Sequence, residues 1–532
     1  MFDLVPARLS ALSDALDGAC LQNTMIGLEK ESLRVARDGG IAMTSHPRAW
    51  GSALTHPWLT TDYSEALAEF ITPPLANSGQ ALDFLADLQS YAYRKLPQEI
   101  LWATSMPCIL AGEENVPIAE YGNSNLGRMK HVYRVGLGYR YGRVMQVIAG
   151  VHFNWSLPDT FWETYARVLG QKLSRTVRDE YYMGMIRNLL RVGWLIPYLF
   201  GASPAVCKSF FPGGVSRLDS FDESTFYEPF ATSLRMGDIG YQNKREEGLG
   251  IHVGYGDVTE YAQSLLAAVT APAGAWEGIG VRVGDEYRQL NANLLQIENE
   301  YYNSVRPKQP LNGLESPAVA LLQRGIQYVE LRSLDVNAYH PLGVDEVQLR
   351  FLEALMFTCL LAGSPPLDST EQLETNENVL LVAHRGREPG LELRRDGRDV
   401  TLRDWGQGVL DTVLPVAEFL DQVHGGHAYE DATDDQLRKL LHPDLTPSAR
   451  MLEEMRSRGE GFYDFARRLS LQHHRFFSNR ELSPGRVSEF DDTVARSFSE
   501  LAAIEDRPQE AFDLFLERYF AQTYAALDRR SA

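Results

Sequence analysis

Met25-Ile-Gly-Leu-Glu-Lys-Glu-Ser-Leu-Arg-Val35 is the stretch around which the rest of this chain can be arranged. Glu29 and Glu31 lie two positions apart, and side chains two apart in a strand point to the same face. Two carboxylates side by side repel unless a cation lies between them. A hard divalent ion such as Mg²⁺ takes carboxylate oxygens as ligands. The segment predicts either a strand with a metal site or, equally well when taken alone, a solvated polar edge strand.

Three later segments show the same alternation of polar and apolar side chains. Ala66 to Thr72 predicts a strand that ends at Pro73 and carries Glu69. Arg143 to Leu157 predicts a long strand with one apolar face, and Gln327 to Val336 predicts another. The polar faces of these two strands carry Gln146, Ile148, Gly150, His152, Asn154 and Ser156 in the first and Glu330 and Arg332 in the second.

Between these strands the pattern predicts helices and loops. Leu9, Leu12 and Leu16 have helical spacing, and Asn77 or Ser78 can cap a helix that runs towards Leu96. Residues 112–142, rich in Gly, Tyr and Arg, predict a loop region. Asp179 to Phe200 predicts a long buried helix, and Leu290 to Glu300 a further strand. Asp345 can cap a helix whose apolar residues form one stripe. Apolar residues at helical spacing predict further helices near 402–422, 448–457, 462–477 and 509–527.

We predict an approximate domain boundary near Ser364-Pro-Pro366. We predict a catalytic sheet-and-helix core over residues 1–364 and a mainly helical C-terminal region over residues 365–532, packed on the core. The fold class is therefore α+β.

Composition excludes several classes of partner. The 532 residues contain 51 basic and 71 acidic side chains, a net charge of −20. Such a chain repels nucleic acid and anionic membranes. Four separated cysteines without a C-x-x-C pair argue against a disulfide framework or a structural zinc site. Without a signal pattern or a membrane-spanning run, the sequence predicts a reduced, soluble, cytoplasmic protein.

The collected polar faces suit phosphoryl transfer. Several acids and one imidazole spread over four strands can line a multi-metal pocket, and oxygen-rich sites prefer Mg²⁺ or Mn²⁺ to zinc. Clustered Mg²⁺ near arginine neutralises phosphate charge, so ATP is the expected co-substrate. Gly122 and Gly127 have P-loop spacing, but Arg128 follows where a P-loop needs lysine. A phosphate cradle there would depend on Arg128, Lys130 and Arg134; the alternative is a solvated loop.

Six motifs permit a comparison with a known family. They are Gly-Leu-Glu-Lys-Glu-Ser-Leu-Arg-Val (27–35), Gly-Ser-Ala-Leu-Thr-His (51–56), Gly-Val-His-Phe-Asn-Trp-Ser (150–156), Pro-Tyr-Leu-Phe-Gly-Ala-Ser-Pro-Ala (197–205), Leu-Gln-Ile-Glu-Asn-Glu (295–300) and Tyr-Val-Glu-Leu-Arg-Ser-Leu-Asp (328–335). In this order they resemble the bacterial glutamate–cysteine ligases of type 1, from about residue 20 to 360.

The resemblance implies a fold, a reaction and an assembly. The implied fold is a curved, mainly antiparallel sheet similar to the catalytic domain of glutamine synthetase, with helices outside it. The implied reaction is the first step of glutathione synthesis, in which ATP, L-glutamate and L-cysteine give γ-glutamylcysteine, ADP and phosphate through a γ-glutamyl phosphate. The family usually works as a monomer.

The resemblance also implies residue roles, carried over by motif. The implied catalytic residues are Arg332, Glu330 and Arg235. The metal ligands would be Glu29, Glu31, Asp62, Glu69, His152 and Glu330. The pocket for glutamate and its γ-phosphoryl group would consist of Gln146, Ile148, Asn154, Arg235, Asn299 and Arg332. The cysteine pocket would consist of Tyr63, Tyr133, Leu137, Tyr241 and Tyr302, where Tyr63 stands in place of a frequent Phe. The Arg306-Pro-Lys308 segment is expected to meet ATP.

Two alternatives stay open at this point. A glutamate–amine ligase could use another amino acid or a polyamine as the nucleophile. A non-catalytic metal- or amino-acid-binding protein could have kept the sheet, although Glu31, Glu330 and Arg332 form a phosphate-handling set that simple binding does not need. If like charges crowd the site, replacing Glu31 or Glu330 by glutamine is expected to leave the fold nearly intact.

Overall fold

The computed structural model describes residues 1–15, 21, 23–96, 98–211, 213, 216–240 and 251–528. Its strands are β1 (Met25–Ala36), β2 (Leu59–Thr61), β3 (Leu67–Ile71), β4 (Glu99–Leu101), β5 (Gly150–Ser156), β6 (Ala205–Cys207), β7 (Asp219–Ser220), β8 (Thr225–Tyr227), β9 (Arg282–Val283), β10 (Glu286–Tyr287), β11 (Val305–Lys308), β12 (Tyr328–Asp335), β13 (Glu392–Arg395) and β14 (Arg398–Thr401).

The α-helices of the described residues cover most of the remaining chain. They span Val5–Ala15, Ser78–Arg94, Asn125–Tyr141, Asp159–Val168, Arg175–Arg191, Leu195–Phe200, Val258–Thr270, Gly274–Glu277, Pro317–Arg324, Glu346–Leu361, Ser369–Arg385, Leu402–His424, Ala428–Leu441, Pro447–Arg458, Phe462–Asn479, Pro484–Glu505 and Phe512–Asp528. Within this described part, no helix combines the length and the apolar character that crossing a membrane requires.

The central sheet has the strand order β11-β12-β5-β1-β3-β2, and β4 pairs with the far end of β1. Every neighbouring pair in it is antiparallel. The predicted α+β class, with an antiparallel sheet and a helical C-terminal third, is confirmed. Strand predictions for Met25–Val35, Ala66–Thr72 and Gln327–Val336 are also confirmed, since β1, β3 and β12 lie there.

The two faces of the sheet have different neighbours. Helix Ser78–Arg94, capped by Asn77 as expected, packs behind β1, where Lys30 Nζ donates a hydrogen bond to Gln89 Oε1 at 2.8 Å. Helix Glu346–Leu361 covers β5 from the same side, with the rings of Trp155 and Phe357 centred 6.4 Å apart. Because side chains alternate along β1, Glu29 and Glu31 point to the opposite face, which these helices leave open.

Helices of the C-terminal third pack against earlier parts of the chain. Phe462–Asn479 contacts Ser78–Arg94, Leu402–His424 contacts Glu346–Leu361, and Phe512–Asp528 contacts Asn125–Tyr141. The helices predicted near 402–422, 448–457, 462–477 and 509–527 are confirmed. A division of the chain at residue 364 into two domains remains a proposal.

The prediction of a loop over residues 112–142 is wrong for its second half, which forms helix Asn125–Tyr141. Ser124 Oγ caps this helix by accepting a hydrogen bond from the Gly127 N–H. The glycines that suggested a loop serve close packing, since a Cβ on Gly136 would come within 2.1 Å of Gln296 Oε1. The expectation failed because glycine lowers helix propensity only modestly, and packing outweighs it.

The long strand predicted from Arg143 to Leu157 is also too long. Only Gly150–Ser156 pairs in the sheet, and Met145–Val147 form a 3₁₀ turn. At the junction the Gly150 N–H donates to Glu31 Oε2 at 2.6 Å. A side chain thus takes the hydrogen bond that a neighbouring strand would otherwise accept, which ends the ladder at this residue.

Two further elements differ from the sequence pattern. The strand predicted at Leu290–Glu300 is absent, because side chains bind its amides: Gln296 Oε1 accepts from the Leu290 N–H, and Glu300 Oε2 from the Gln296 N–H. The long helix predicted over 179–200 is two helices, Arg175–Arg191 and Leu195–Phe200, divided around Gly193.

The expectation that no disulfide forms is wrong. Cys108 and Cys207 are paired in a disulfide with their Cα atoms 5.4 Å apart, although 99 positions separate them in sequence. Cys359 is a buried free thiol, and Cys20 lies outside the described residues. Cysteine spacing does not reveal such a pair, because tertiary folding brings the two segments together.

We expect the double variant Cys108→Ser, Cys207→Ser to lose stability but not turnover. The disulfide closes a long loop, and such a bond contributes about 2–4 kcal/mol to the free energy of unfolding. Neither cysteine lines the pocket described below. Denaturant unfolding and ADP release at 25 °C, compared with wild-type protein in which the disulfide is intact, check this. Unchanged stability with an activity loss of about 100-fold would contradict it.

Candidate active site

Strand register places polar side chains of five strands in one row. Glu31 lies opposite Glu69 across β1 and β3, and Glu29 opposite His152 across β1 and β5. Residues directly opposite in an antiparallel pair point to the same face. Glu330 lies opposite Asn154 on β5 and opposite Arg306 on β11, so the row continues to the edge of the sheet.

The centre of this row is a carboxylate–imidazole cluster. His152 Nδ1 lies 3.0 Å from Glu29 Oε2 and 3.8 Å from Glu330 Oε1, and its Nε2 lies 3.8 Å from Glu31 Oε1. One ligand atom from each of Glu29, His152 and Glu330 lies within 4.8 Å of the others. Two carboxylates and one imidazole within this distance form a donor set that suits a hard divalent cation.

Burial and like charges perturb the carboxylates on one side of the cluster. Burial, and after it the charge of Asp62, raises the pKa of Glu31 to about 8. Burial together with Glu29 and Asp62 raises the pKa of Glu69 well above its usual value. Burial and the neighbouring acids outweigh the attraction of Arg235 for Glu31 and of Arg134 for Glu69, and binding of a metal ion would relieve this repulsion.

Cations compensate the carboxylate on the other side. Lys308 Nζ lies 3.3 Å and Arg332 Nη1 3.2 Å from Glu330 Oε2. Burial alone would raise the pKa of Glu330, but Lys308 and Arg332 outweigh it and lower that pKa below its usual range. The pocket therefore has an acidic side at Glu31 and Glu69 and a basic side at Lys308 and Arg332.

Arg235 reaches the pocket from a loop rather than from the sheet. Its Nη2 donates to the Arg332 carbonyl at 2.9 Å, and its Nη1 lies 3.8 Å from Asp335 Oδ1. A Cβ on Gly150 would come within 2.1 Å of this guanidinium, so the first residue of β5 has to be glycine. Arg235 is 1% exposed, and its hydrogen bond to the Arg332 carbonyl fixes the direction of the guanidinium.

The helix Asn125–Tyr141 closes the pocket opposite the sheet. It contributes Tyr133, Arg134 and Leu137 to the lining, and Arg134 Nε donates to the Asp62 carbonyl. The cavity has a volume of about 290 Å³. Its lining consists of Glu29, Glu31, Asp62, Tyr63, Glu69, Tyr133, Arg134, Leu137, Tyr141, Met145, Gln146, His152, Arg235, Asn299, Glu300, Tyr302, Arg306, Lys308, Glu330 and Arg332.

Most of the predicted site residues therefore meet in this one cavity. Two described residues do not line it. Asn154 lies on the same face of the sheet, where its Nδ2 donates to Glu29 Oε1 at 2.8 Å, and it supports Glu29 without lining the cavity. Ile148 is fully buried. Tyr241 lies outside the described residues. The pocket brings the predicted residues together, and their individual roles remain predictions.

Some lining residues were not among the sequence-predicted site residues. Arg134 was considered only as part of a phosphate cradle; of its two companions, Arg128 stacks on Tyr287 and Phe512, and Lys130 lies over Tyr121. Lys308 and Arg306 occupy β11, the edge strand beside Glu330. Their signal was the basic Arg306-Pro-Lys308 segment. Glu300 belongs to the 295–300 motif but was given no role, and nothing in the sequence indicated Tyr141 or Met145.

The chain is similar in sequence to curated enzymes over nearly its whole length. Residues 9–382 match the family described as Glutamate-cysteine ligase. The glutamate–cysteine ligase of Alcanivorax borkumensis is 44% identical over 520 residues, covering 96% of this chain and 98% of that protein. The enzyme of the same name from Pseudomonas paraeruginosa is 45% identical over 522 residues, covering 98% of each chain.

Two solved structures are similar to this fold. The glutamate–cysteine ligase of Francisella tularensis, solved in complex with AMP, superposes with a TM-score of 0.88 at 32% identity, covering 95% of this chain and 99% of that one. A bifunctional glutathione synthetase from Pasteurella multocida has a TM-score of 0.72 at 23% identity, covering 92% of this chain and 58% of that one. The second likeness concerns the fold alone.

Proposed function

The chain belongs to the glutamate–cysteine ligase family, and from this premise we propose how its pocket performs the reaction. The reaction joins the γ-carboxylate of L-glutamate to the amine of L-cysteine and uses ATP, giving γ-glutamylcysteine, ADP and phosphate, the first step of glutathione synthesis. One observation carries the assignment of residues: carboxylates that could hold metal ions and basic side chains that could bind phosphate line a single cavity.

The acidic side is proposed to hold divalent cations, Mg²⁺ or Mn²⁺. Support comes from the Glu29, His152 and Glu330 donor set and from the raised pKa values of Glu31 and Glu69. A bound cation would neutralise the phosphate charge of ATP. The proposed ligands are Glu29, Glu31, Asp62, Glu69, His152 and Glu330.

The basic side is proposed to bind the transferring phosphoryl group and L-glutamate. Arg332 and Lys308 lie beside Glu330 and can donate to phosphoryl oxygens. Arg235, held on the Arg332 carbonyl, can bind a substrate carboxylate with its remaining donors. A γ-glutamyl phosphate formed here has an activated carbonyl for the amine to attack. Further contacts to glutamate are proposed for Gln146, Ile148, Asn154 and Asn299.

The wall opposite the sheet is proposed to position L-cysteine. Tyr133 and Leu137 enter the cavity from helix Asn125–Tyr141, and Tyr63 and Tyr302 line it beside them. Tyr241 is proposed for the same pocket from its sequence context alone. Aromatic and aliphatic surfaces suit the small side chain of cysteine and limit access of water to an acyl phosphate.

ATP as co-substrate is consistent with the relative from Francisella tularensis, which was solved with AMP. We further propose that the enzyme is cytoplasmic, because ATP and free amino acids are cytoplasmic substrates. We propose that it works as a monomer, as the family resemblance implies. The disulfide between Cys108 and Cys207 is unusual for that compartment and is the observation that weighs against it.

ADP release with L-glutamate as the fixed substrate tests the proposal. We expect Mg²⁺-dependent ADP release that rises strongly when L-cysteine is added, and γ-glutamylcysteine as the product. Other amino acids and a polyamine serve as controls for the nucleophile. If one of these controls stimulates ADP release more strongly than L-cysteine does, the enzyme uses that amine as its nucleophile and the proposed substrate is wrong.

A further inference from the structure

His384 lies in the last turn of helix Ser369–Arg385, outside the lining of the catalytic pocket. Its Nε2 lies 3.2 Å from the Asp238 backbone nitrogen and accepts the hydrogen bond of that N–H. Its Nδ1 lies 2.6 Å from Glu228 Oε2, and its Nε2 also lies 3.1 Å from Asp238 Oδ1. A neutral imidazole that accepts the Asp238 N–H donates from Nδ1 to Glu228. One imidazole thus ties together two residues that lie ten positions apart.

The end of the same helix holds the middle of that segment. The Ala383 carbonyl accepts hydrogen bonds from the N–H groups of Thr232 and Ser233, at 2.9 and 3.1 Å. Gly237 lies directly against the imidazole, where a Cβ would come within 2.8 Å of His384 Nε2. Segment 228–238 is therefore bound at both ends and in its middle to one helix terminus.

Arg235 lies inside this segment, between the residues that His384 and Ala383 hold. Its guanidinium enters the catalytic pocket, and its backbone N–H donates to Ser203 Oγ at 3.3 Å. Asp238 is three positions further along. A shift of the Asp238 end would consequently move the Arg235 side chain relative to Arg332, whose carbonyl it contacts.

We propose that His384 is a positioning residue for substrate binding, which aligns Arg235 by clamping Glu228 and Asp238. The inference rests on the proposed role of Arg235 as the group that binds the glutamate carboxylate. It gives the C-terminal third of the chain a part in glutamate recognition, although His384 touches no substrate.

Steady-state kinetics of His384→Ala, with each substrate varied separately, test the inference. Loss of one or two hydrogen bonds predicts a rise of about tenfold in the KM for L-glutamate, with the KM for ATP unchanged. His384→Gln should recover most of this loss, because its amide oxygen can accept from the Asp238 N–H. His384→Asn has a shorter side chain, which can place its amide beside Glu228 but not at the position of the imidazole Nε2, and should recover less.

A double-variant comparison shows whether the effect passes through Arg235. In an Arg235→Lys background, adding His384→Ala should change the KM for L-glutamate less than twofold, because the aligned group is already altered. His427→Ala is the matched control. His427 also faces a glutamate, with Nδ1 3.3 Å from Glu430 Oε2, but its side chain is 79% exposed. This control should keep wild-type kinetics.

The possible outcomes distinguish the positioning role of His384 from the proposed role of Arg235 in binding glutamate. If Arg235→Lys raises the KM for L-glutamate and folded His384→Ala does not, the role of His384 is refuted and that of Arg235 stands. If Arg235→Lys leaves this KM unchanged, both are refuted. Should His384→Ala not fold, the comparison of the Gln and Asn variants decides, since equal KM values would overturn the inference.

Discussion

Replacing Glu31 with glutamine is expected to stabilise the metal-free protein and to remove most of its ADP release. Burial and Asp62 raise the pKa of Glu31 to about 8 in the folded chain, above its ordinary value of 4.5. Between these values the folded state binds more protons than the unfolded state, so this group makes stability fall as the pH rises. The variant has no such titration, and its advantage should grow from pH 5 to pH 8.

Thermal melts in EDTA measure this effect. We expect a gain of about 1–3 kcal/mol in the free energy of unfolding at pH 8, and a smaller gain at pH 5. With Mg²⁺ present the order should reverse, because the wild-type carboxylate then binds the cation and the amide binds it poorly. Turnover should fall on the order of 100- to 1000-fold.

Glu330→Gln provides the matched comparison and should behave differently in the absence of metal. Both substitutions remove one carboxylate from the same cluster, and both should abolish turnover. Lys308 and Arg332 lie 3.3 and 3.2 Å from the buried Glu330, so its loss leaves two partly buried cations without this partner. We therefore expect Glu330→Gln to lose stability, contrary to the expectation from like-charge repulsion alone. Near-normal turnover in both variants would refute the metal assignment.

Arg332→Ala is expected to abolish ADP formation whether or not L-cysteine is present. The guanidinium lies on the basic side of the pocket, 3.2 Å from Glu330, where charge develops on the transferring phosphoryl group. Its loss should lower ADP release by about 1000-fold or more, since a charged donor to the transition state is removed. Arg332→Lys, which keeps the charge but loses the planar fork, should retain measurable activity.

Tyr133→Phe tests the separate proposal that the tyrosines position L-cysteine and take no part in phosphoryl transfer. The tyrosine enters from the helix opposite the sheet and is proposed to position the nucleophile only. We expect the KM for L-cysteine to rise up to about tenfold, with ADP formation otherwise retained. This proposal is wrong if the variant raises the KM for ATP and leaves that for L-cysteine unchanged.

Much of the acidic side of the site could be predicted from the sequence. Alternation along β1, β3 and β12 places Glu29, Glu31, Glu69 and Glu330 on strand faces that later prove to be the same face of one sheet. The helix N-caps at Asn77 and Asp345 could also be predicted from the sequence. These features depend on side chains a few residues apart, and strand and helix periods relate such neighbours directly.

The elements that were mispredicted are those whose local pattern competes with a distant partner. Helix Asn125–Tyr141 has glycine at position 136 because Gln296 packs against it, and β5 begins at Gly150 because Glu31 accepts its N–H. Neither partner is near in sequence. A window of neighbouring residues therefore indicates a loop or a longer strand, where the folded chain has neither.

Sequence alone thus determined that strands of this chain carry paired carboxylates and an imidazole, because a period of two is a local property of the backbone. The tertiary structure decided which of these strands are neighbours, and so which side chains share a cavity. It also brought Arg235 from a loop, Lys308 from an edge strand and Cys108 to Cys207. Such meetings depend on burying apolar surface between segments far apart in the chain, and no local pattern encodes that packing.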